Sequence, residues 1–137
     1  MSHSGGCLCG AVQYEIAGEL PAIQVCHCQD CRKASGSAFA TNIPVKRDNF
    51  TVVRGAEELG AFPSVTRPGK SRVFCQRCGS QLYSQRDDSD EVRVRAGTVN
   101  EDIDSGLAFH FFVDSKANWW PLQDELTKYP GQAPGIT

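Results

Sequence analysis

The chain has no tract of basic residues, and this tells against a nucleic-acid partner. Fourteen Lys and Arg are set against sixteen Asp and Glu, a formal charge of −2 at neutral pH. No apolar run is long enough to cross a membrane. The opening residues, Met1-Ser2-His3-Ser4-Gly5-Gly6, hold no apolar stretch of the kind a secretion leader needs. The expectation is a cytoplasmic protein with neither a membrane nor a nucleic acid as partner. Internal repeats of solenoid length and low-complexity segments are also absent, so the 137 residues read as one domain over positions 1–137.

Helix is scarce as well. Residues 28–35 could make one or two turns ending at Gly36, and residues 122–128 another before Pro130. What is present instead is alternation of period two. Val12, Tyr14 and Ile16 alternate with polar neighbours, as do Ile23 and Val25. Val92, Val94 and Ala96 alternate with Arg93 and Arg95, which are expected to face water. Further short strands are expected at 38–43, 51–54, 72–75 and 81–84. The apolar run 108–113 reads as a strand buried on both faces, and residues 87–91 as an acidic turn. Thirteen glycines and seven prolines punctuate these runs, which suits a mainly β chain with short helical turns.

Against this background seven cysteines stand out. Three fall within six residues, at Cys26, Cys28 and Cys31. The others form two pairs, Cys7/Cys9 and Cys75/Cys78, each followed by a glycine that lets the backbone bend. Such spacings without a secretion leader point to metal ligands in a reducing compartment, not to disulfides. Zinc is the natural ion, since it takes four thiolates in structural sites and three protein ligands in catalytic ones. Neither pair can close a site alone, so the two pairs most simply join in one four-sulfur site, leaving Cys26, Cys28 and Cys31 for a second zinc. A competing pairing joins the triplet to one pair and strands the other two ligands. An iron–sulfur cluster would also accept four thiolates.

The fourth position of the three-thiolate site has several candidates. His27 lies between two ligands and is expected to point away, in a structural role. His110 is another candidate, though a core histidine is the commoner case, and His3 lies in the N-terminal tail. Arg32 and Lys33 directly follow the triplet. They read either as solvated helix residues or as cations that draw an anionic ligand to the metal. An exogenous thiol suits a thiolate-rich zinc, because coordination would deprotonate it near neutral pH.

Three segments carry a family resemblance. They are Gly6-Cys7-Leu8-Cys9-Gly10 with Tyr14, the run from Cys26 through Arg32, Lys33 and Ser35 to Gly36, and Phe74-Cys75-Gln76-Arg77-Cys78-Gly79-Ser80. Together with Ala96-Gly97-Thr98-Val99, the strand containing His110, and Ser115-Lys116-Ala117-Asn118-Trp119, they resemble the glutathione-dependent formaldehyde-activating family, also called the centromere protein V-type domain. The resemblance implies an Mss4-like zinc-bound β scaffold with short helical turns. It implies Cys7, Cys9, Cys75 and Cys78 as ligands of a structural zinc, and Cys26, Cys28 and Cys31 as ligands of a second, catalytic one. The implied activity is that of a carbon–sulfur lyase joining glutathione to formaldehyde as S-(hydroxymethyl)glutathione, with a small-molecule thiol and aldehyde as partners. Ser35, Ser37, Phe39, Asn42 and Trp120 are candidates to line the pocket. The alternative is a two-zinc binding module without catalysis. A redox role like that of B-class methionine sulfoxide reductases lacks its nucleophile, since no cysteine follows Cys78.

Overall fold

The computed structural model describes residues 2–135. Two sheets make up its frame. The smaller contains β1 (Ser2–Gly6), β2 (Gln13–Ala17) and β5 (Phe50–Arg54), in the order β1-β2-β5. The larger is built from β3 (Ile23–Cys26), β4 (Ala40–Lys46), β6 (Leu59–Pro63), β7 (Lys70–Cys75), β8 (Gln81–Arg86), β9 (Glu91–Arg95) and β10 (Leu107–Phe111). Its order is β10-β3-β4-β9-β8-β7-β6, antiparallel throughout except for the parallel pair β10–β3. Helix α1 (Gln29–Ser35) and four single-turn 3-10 segments complete the described residues. The fold is therefore mainly β with short helical turns, the class that the period-two alternation predicts.

The apolar positions of the alternating strands meet between the sheets. Val12, just before β2, and Tyr14 and Ile16 of the small sheet pack with Ile43, Val45, Val92, Val94 and Leu82 of the large one, all of them buried. Burying an aliphatic side chain of this size contributes roughly 1.5–3 kcal/mol. Gly5 is required here by close approach, since a Cβ at that position would lie 2.2 Å from the Tyr14 ring. With the ring in that place, the Tyr14 hydroxyl reaches Thr98 Oγ1 at 2.7 Å.

The opposite face of the large sheet is polar. Residues directly paired across strands share a face, and the pairs Gln24–Asn42, Asn42–Arg95, Ser84–Arg93 and Arg72–Ser84 carry one polar row across the sheet. Arg93 and Arg95, expected in water, are respectively half-buried and buried. The reason is that α1 and the cysteine triplet cover this face, so the polar positions meet a second polar layer. The expected helix over 122–128 does not form either. The segment's backbone is used against β10 instead: the His110 amide donates to the Thr127 carbonyl at 3.0 Å and Tyr129 N–H to the His110 carbonyl at 2.9 Å. The N-terminal tail holding His3 is strand β1, with His3 opposite Ile16. Neither β1 nor β6 shows the alternation by which the other strands were expected.

Candidate metal centre and active site

The four paired cysteines converge from two strand ends. Cys7 and Cys9 follow β1, Cys75 ends β7, and Cys78 lies in the turn to β8. Their four sulfurs all lie within 4.8 Å of one another. The Cys7–Cys9 separation is 3.7 Å and the Cys9–Cys75 separation 3.9 Å. Zinc–sulfur bonds of about 2.3 Å at tetrahedral angles place sulfurs about 3.8 Å apart, so the donor set fits such an ion. The surrounding amides and hydroxyls favour thiolates. Val12 N–H donates to Cys7 Sγ at 3.2 Å, and the Ser80 hydroxyl and amide push Cys78 down to about 5. Ser80 Oγ also accepts from Leu8 N–H at 2.9 Å, tying the two loops together. All seven cysteines are free thiols.

The triplet is built around the start of α1. Cys26 is the last residue of β3, Cys28 is the residue that caps the helix, and Cys31 lies in its first turn. Cys28 Sγ accepts from Cys31 N–H at 3.3 Å, so a sulfur fills the role usually taken by a capping oxygen. At the other end Gly36 takes a left-handed conformation (φ 65°) and donates to the Arg32 carbonyl at 2.8 Å, as helix-ending glycines do. All three sulfurs are buried and lie within 4.8 Å of one another. Among the described residues no histidine or carboxylate joins them. Hydrogen bonds from Cys26 and Cys28 hold the Cys31 thiol well below the usual range, aided by Lys70 and Arg95. Hydrogen bonds with Cys28 and Cys31, together with burial, push Cys26 far up.

His27 and His110 bond to each other instead of to a cation site. His27 is fully buried, and its Nε2 lies 2.8 Å from His110 Nδ1. His110 Nε2 lies 2.7 Å from Asp124 Oδ2, and Lys128 Nζ donates to Asp124 Oδ1 at 3.1 Å. The His110 contact, with Lys128 and the Leu126 amide adding to it, draws Asp124 down to about 2. Burial pushes His27 down to about 4, with His110 and Lys116 adding to the effect. With one hydrogen on each ring the chain has a single consistent polarity. Asp124 accepts from His110, His110 accepts from His27, and His27 Nδ1, which has no partner, is left as a bare acceptor. Asp124 was not legible in advance, because its segment reads as a helix.

The charges that face the triplet come from the sheet. Lys70, Arg72 and Arg95 are 6, 7 and 9 % exposed. Arg72 Nη2 lies 3.9 Å from Cys31 Sγ. Arg95 Nη1 donates to Asn42 Oδ1 at 2.6 Å and to the Arg93 carbonyl at 3.2 Å. A cavity of about 370 Å³ opens beside Cys31, with Arg95, Gln81, Ser35, Phe39 and Ser80 in its walls. A second, of about 310 Å³, flanks the other side of α1 and reaches Arg72, Lys33 and Asp30.

Of the residues singled out from the sequence, Ser35 and Phe39 line the first cavity and Lys33 the second. Ser35 Oγ donates to the Cys31 carbonyl at 2.7 Å. Arg32 extends to the Ser115 carbonyl at 2.9 Å. Asn42 lies beneath the site as the partner of Arg95. Trp120 packs edge-on against Phe39, with ring centroids 5.3 Å apart. Ser37 is exposed in the turn after α1. Lys70, Arg72, Arg95 and Gln81 were missed. The available signal was the i, i+2 repeat of cations in Lys70/Arg72 and Arg93/Arg95, which places each pair on one face of its strand.

The family model described as glutathione-dependent formaldehyde-activating enzyme matches residues 2–115. A Halomonas elongata protein provisionally named for that activity is 32 % identical over 131 residues, 90 % of this chain and 82 % of its own length. A Schizosaccharomyces pombe protein described as an uncharacterized lyase is 32 % identical over 85 residues, 59 % of this chain and 56 % of its own length. A crystal structure of a Rhodobacter sphaeroides protein superposes with a TM-score of 0.60 at 28 % identity, covering 72 % of this chain and 89 % of its own. With the match running through both cysteine sites and most of the strands, the chain belongs to the glutathione-dependent formaldehyde-activating enzyme family.

Proposed function

We propose that this chain is a two-zinc, carbon–sulfur lyase-type enzyme, a single catalytic domain that joins a low-molecular-weight thiol, glutathione in the first instance, to formaldehyde or a similar small electrophile. Cys7, Cys9, Cys75 and Cys78 would hold a structural zinc. Cys26, Cys28 and Cys31 would hold a catalytic one. The observation that carries this reading is the pairing of a buried three-sulfur donor set with a cavity of about 370 Å³ that opens onto one of its members, Cys31. Four protein sulfurs close a site, whereas three protein donors beside an open cavity are the pattern of a site that exchanges ligands.

Zinc at the triplet would supply a position where an incoming thiol loses its proton and stays nucleophilic near neutral pH. The chain's own residues do the rest. Cys28 and Cys31 are fixed by the capped start of α1, which sets the direction from which a thiol can approach. Phe39, backed by Trp120, gives the cavity an apolar wall that limits water around the sulfur. Arg95 and Arg72 keep the potential at Cys31 positive, which favours the anionic sulfur of the ligand. Attack of that sulfur on the carbonyl carbon forms the C–S bond, and the proton lost by the thiol is returned to the carbonyl oxygen as the hydroxyl of the adduct. Lys33, at the mouth of the neighbouring cavity, is placed to attract an anionic ligand.

Cobalt substitution tests the reading. Titrating the cobalt-loaded protein with glutathione should intensify and shift the thiolate-to-metal charge-transfer band. A band unchanged by glutathione and by simpler thiols would remove the thiol-activating role.

A further inference from the structure

The cations below the triplet outnumber the charges that the site itself supplies. Lys70, Arg72 and Arg95 all sit on the covered face of the large sheet, and among the described residues no carboxylate pairs with any of them. Three thiolates around a divalent ion leave one net negative charge against these three cations. Buried charge without a partner is unfavourable and is seldom retained without a ligand to answer it. The donors are also incompletely used. Arg72 Nε is buried and has no partner, and Arg72's one contact with the triplet is the long 3.9 Å approach to Cys31 Sγ. Arg95 anchors one amino group on Asn42, Ser84 and the Arg93 carbonyl while its side chain still lines the cavity beside Cys31. Gln81 lines both cavities, and its Oε1, an acceptor, is also buried without a partner. Asp30, the acid in the wall of the neighbouring cavity, accepts from Thr66.

Formaldehyde is neutral and offers these groups a single carbonyl oxygen but no charge to balance theirs. A planar guanidinium fork matches a carboxylate. We infer that the two cavities that meet at Gln81 form a carboxylate-binding site, in which Arg95, from the cavity beside Cys31, and Arg72, from the neighbouring one, receive the carboxylate of the reacting ligand and Lys70 contributes background charge. The inference rests on the proposed thiol–electrophile chemistry of the same site. The carboxylate belongs either to the thiol, as in glutathione, or to an electrophile that carries one next to its carbonyl.

Calorimetric titrations of the zinc-loaded protein separate these cases, with the cobalt band as a second readout. S-methylglutathione, which has both carboxylates and no free thiol, probes the thiol side, and glyoxylate against formaldehyde probes the electrophile side. At least one carboxylate-bearing probe should bind about ten-fold or more tightly than its esterified or carboxylate-free counterpart, the scale of a charge-assisted pair. Arg72→Met should erase that preference and Arg72→Lys should keep part of it, with zinc content unchanged in both. Equal binding of acid and ester forms would overturn the inference while a thiol-induced cobalt shift kept the thiol chemistry. Carboxylate binding without any thiol-induced shift would do the reverse. Loss of zinc from Arg72→Met with no change in acid preference would assign the cations to the thiolates alone and likewise overturn it.

Discussion

Two cysteines in equally sulfur-rich surroundings should respond very differently to loss. Cys75 is fully buried at the end of β7 and links that strand to the loop after β1, so its site ties together parts of the chain far apart in sequence. Metal binding at such a site contributes about 10 kcal/mol or more to folding in small zinc domains, comparable with the whole net stability of about 5–15 kcal/mol of a typical domain. Cys75→Ser is therefore expected to lose one zinc and unfold, whereas Cys28→Ser should lose the other zinc and keep its far-ultraviolet circular dichroism. Equal collapse of both variants would contradict the division of labour. The cysteines were legible because ligand spacing is local: i, i+2 and i+5 around one helix start can be read directly. Arg72 and Arg95 were not, because a strand's alternation says which residues share a face but not what covers it.

At the level of elements, the pairing of β10 with residues 124–129 is held by a side-chain chain as well as by backbone. Asp124 accepts from His110, which bonds to His27 between two members of the triplet. Its pKa falls from an ordinary 3.8 to about 2 in the folded chain. A depressed carboxylate stabilises the fold above its unfolded value, and that contribution disappears as pH falls from 3.8 through about 2. Melting temperatures of the parent and Asp124→Asn should thus differ most above pH 4 and converge below about pH 2. A difference that stayed constant across that range would mean that the carboxylate charge has no part in holding the segment. The helix expected over this stretch fails for a related reason. The Thr127 carbonyl and the adjoining Tyr129 amide find partners on β10, a tertiary preference that composition does not reveal. By contrast the helix expected at the triplet ends at Gly36 as anticipated, because both of its caps are local.

Across the whole molecule, one sheet serves two purposes. Its apolar face packs on the small sheet through Ile43, Val45, Val92 and Val94, and its polar face supplies the cations under the second sulfur site. The mainly β class was readable from period-two alternation. The way one face is covered depends on contacts between β4, β9 and α1 that no single segment encodes. Among the described residues no helix is long and apolar enough to cross a membrane. The central claim is that the two sulfur sites differ, one closed by four protein sulfurs and one open to a thiol. X-ray absorption at the zinc edge measures this directly. The mean coordination should be about 3.5 sulfurs per zinc without added thiol and about 4 with saturating glutathione. A value of about 4 before any thiol is added, or one that glutathione leaves unchanged, would contradict it.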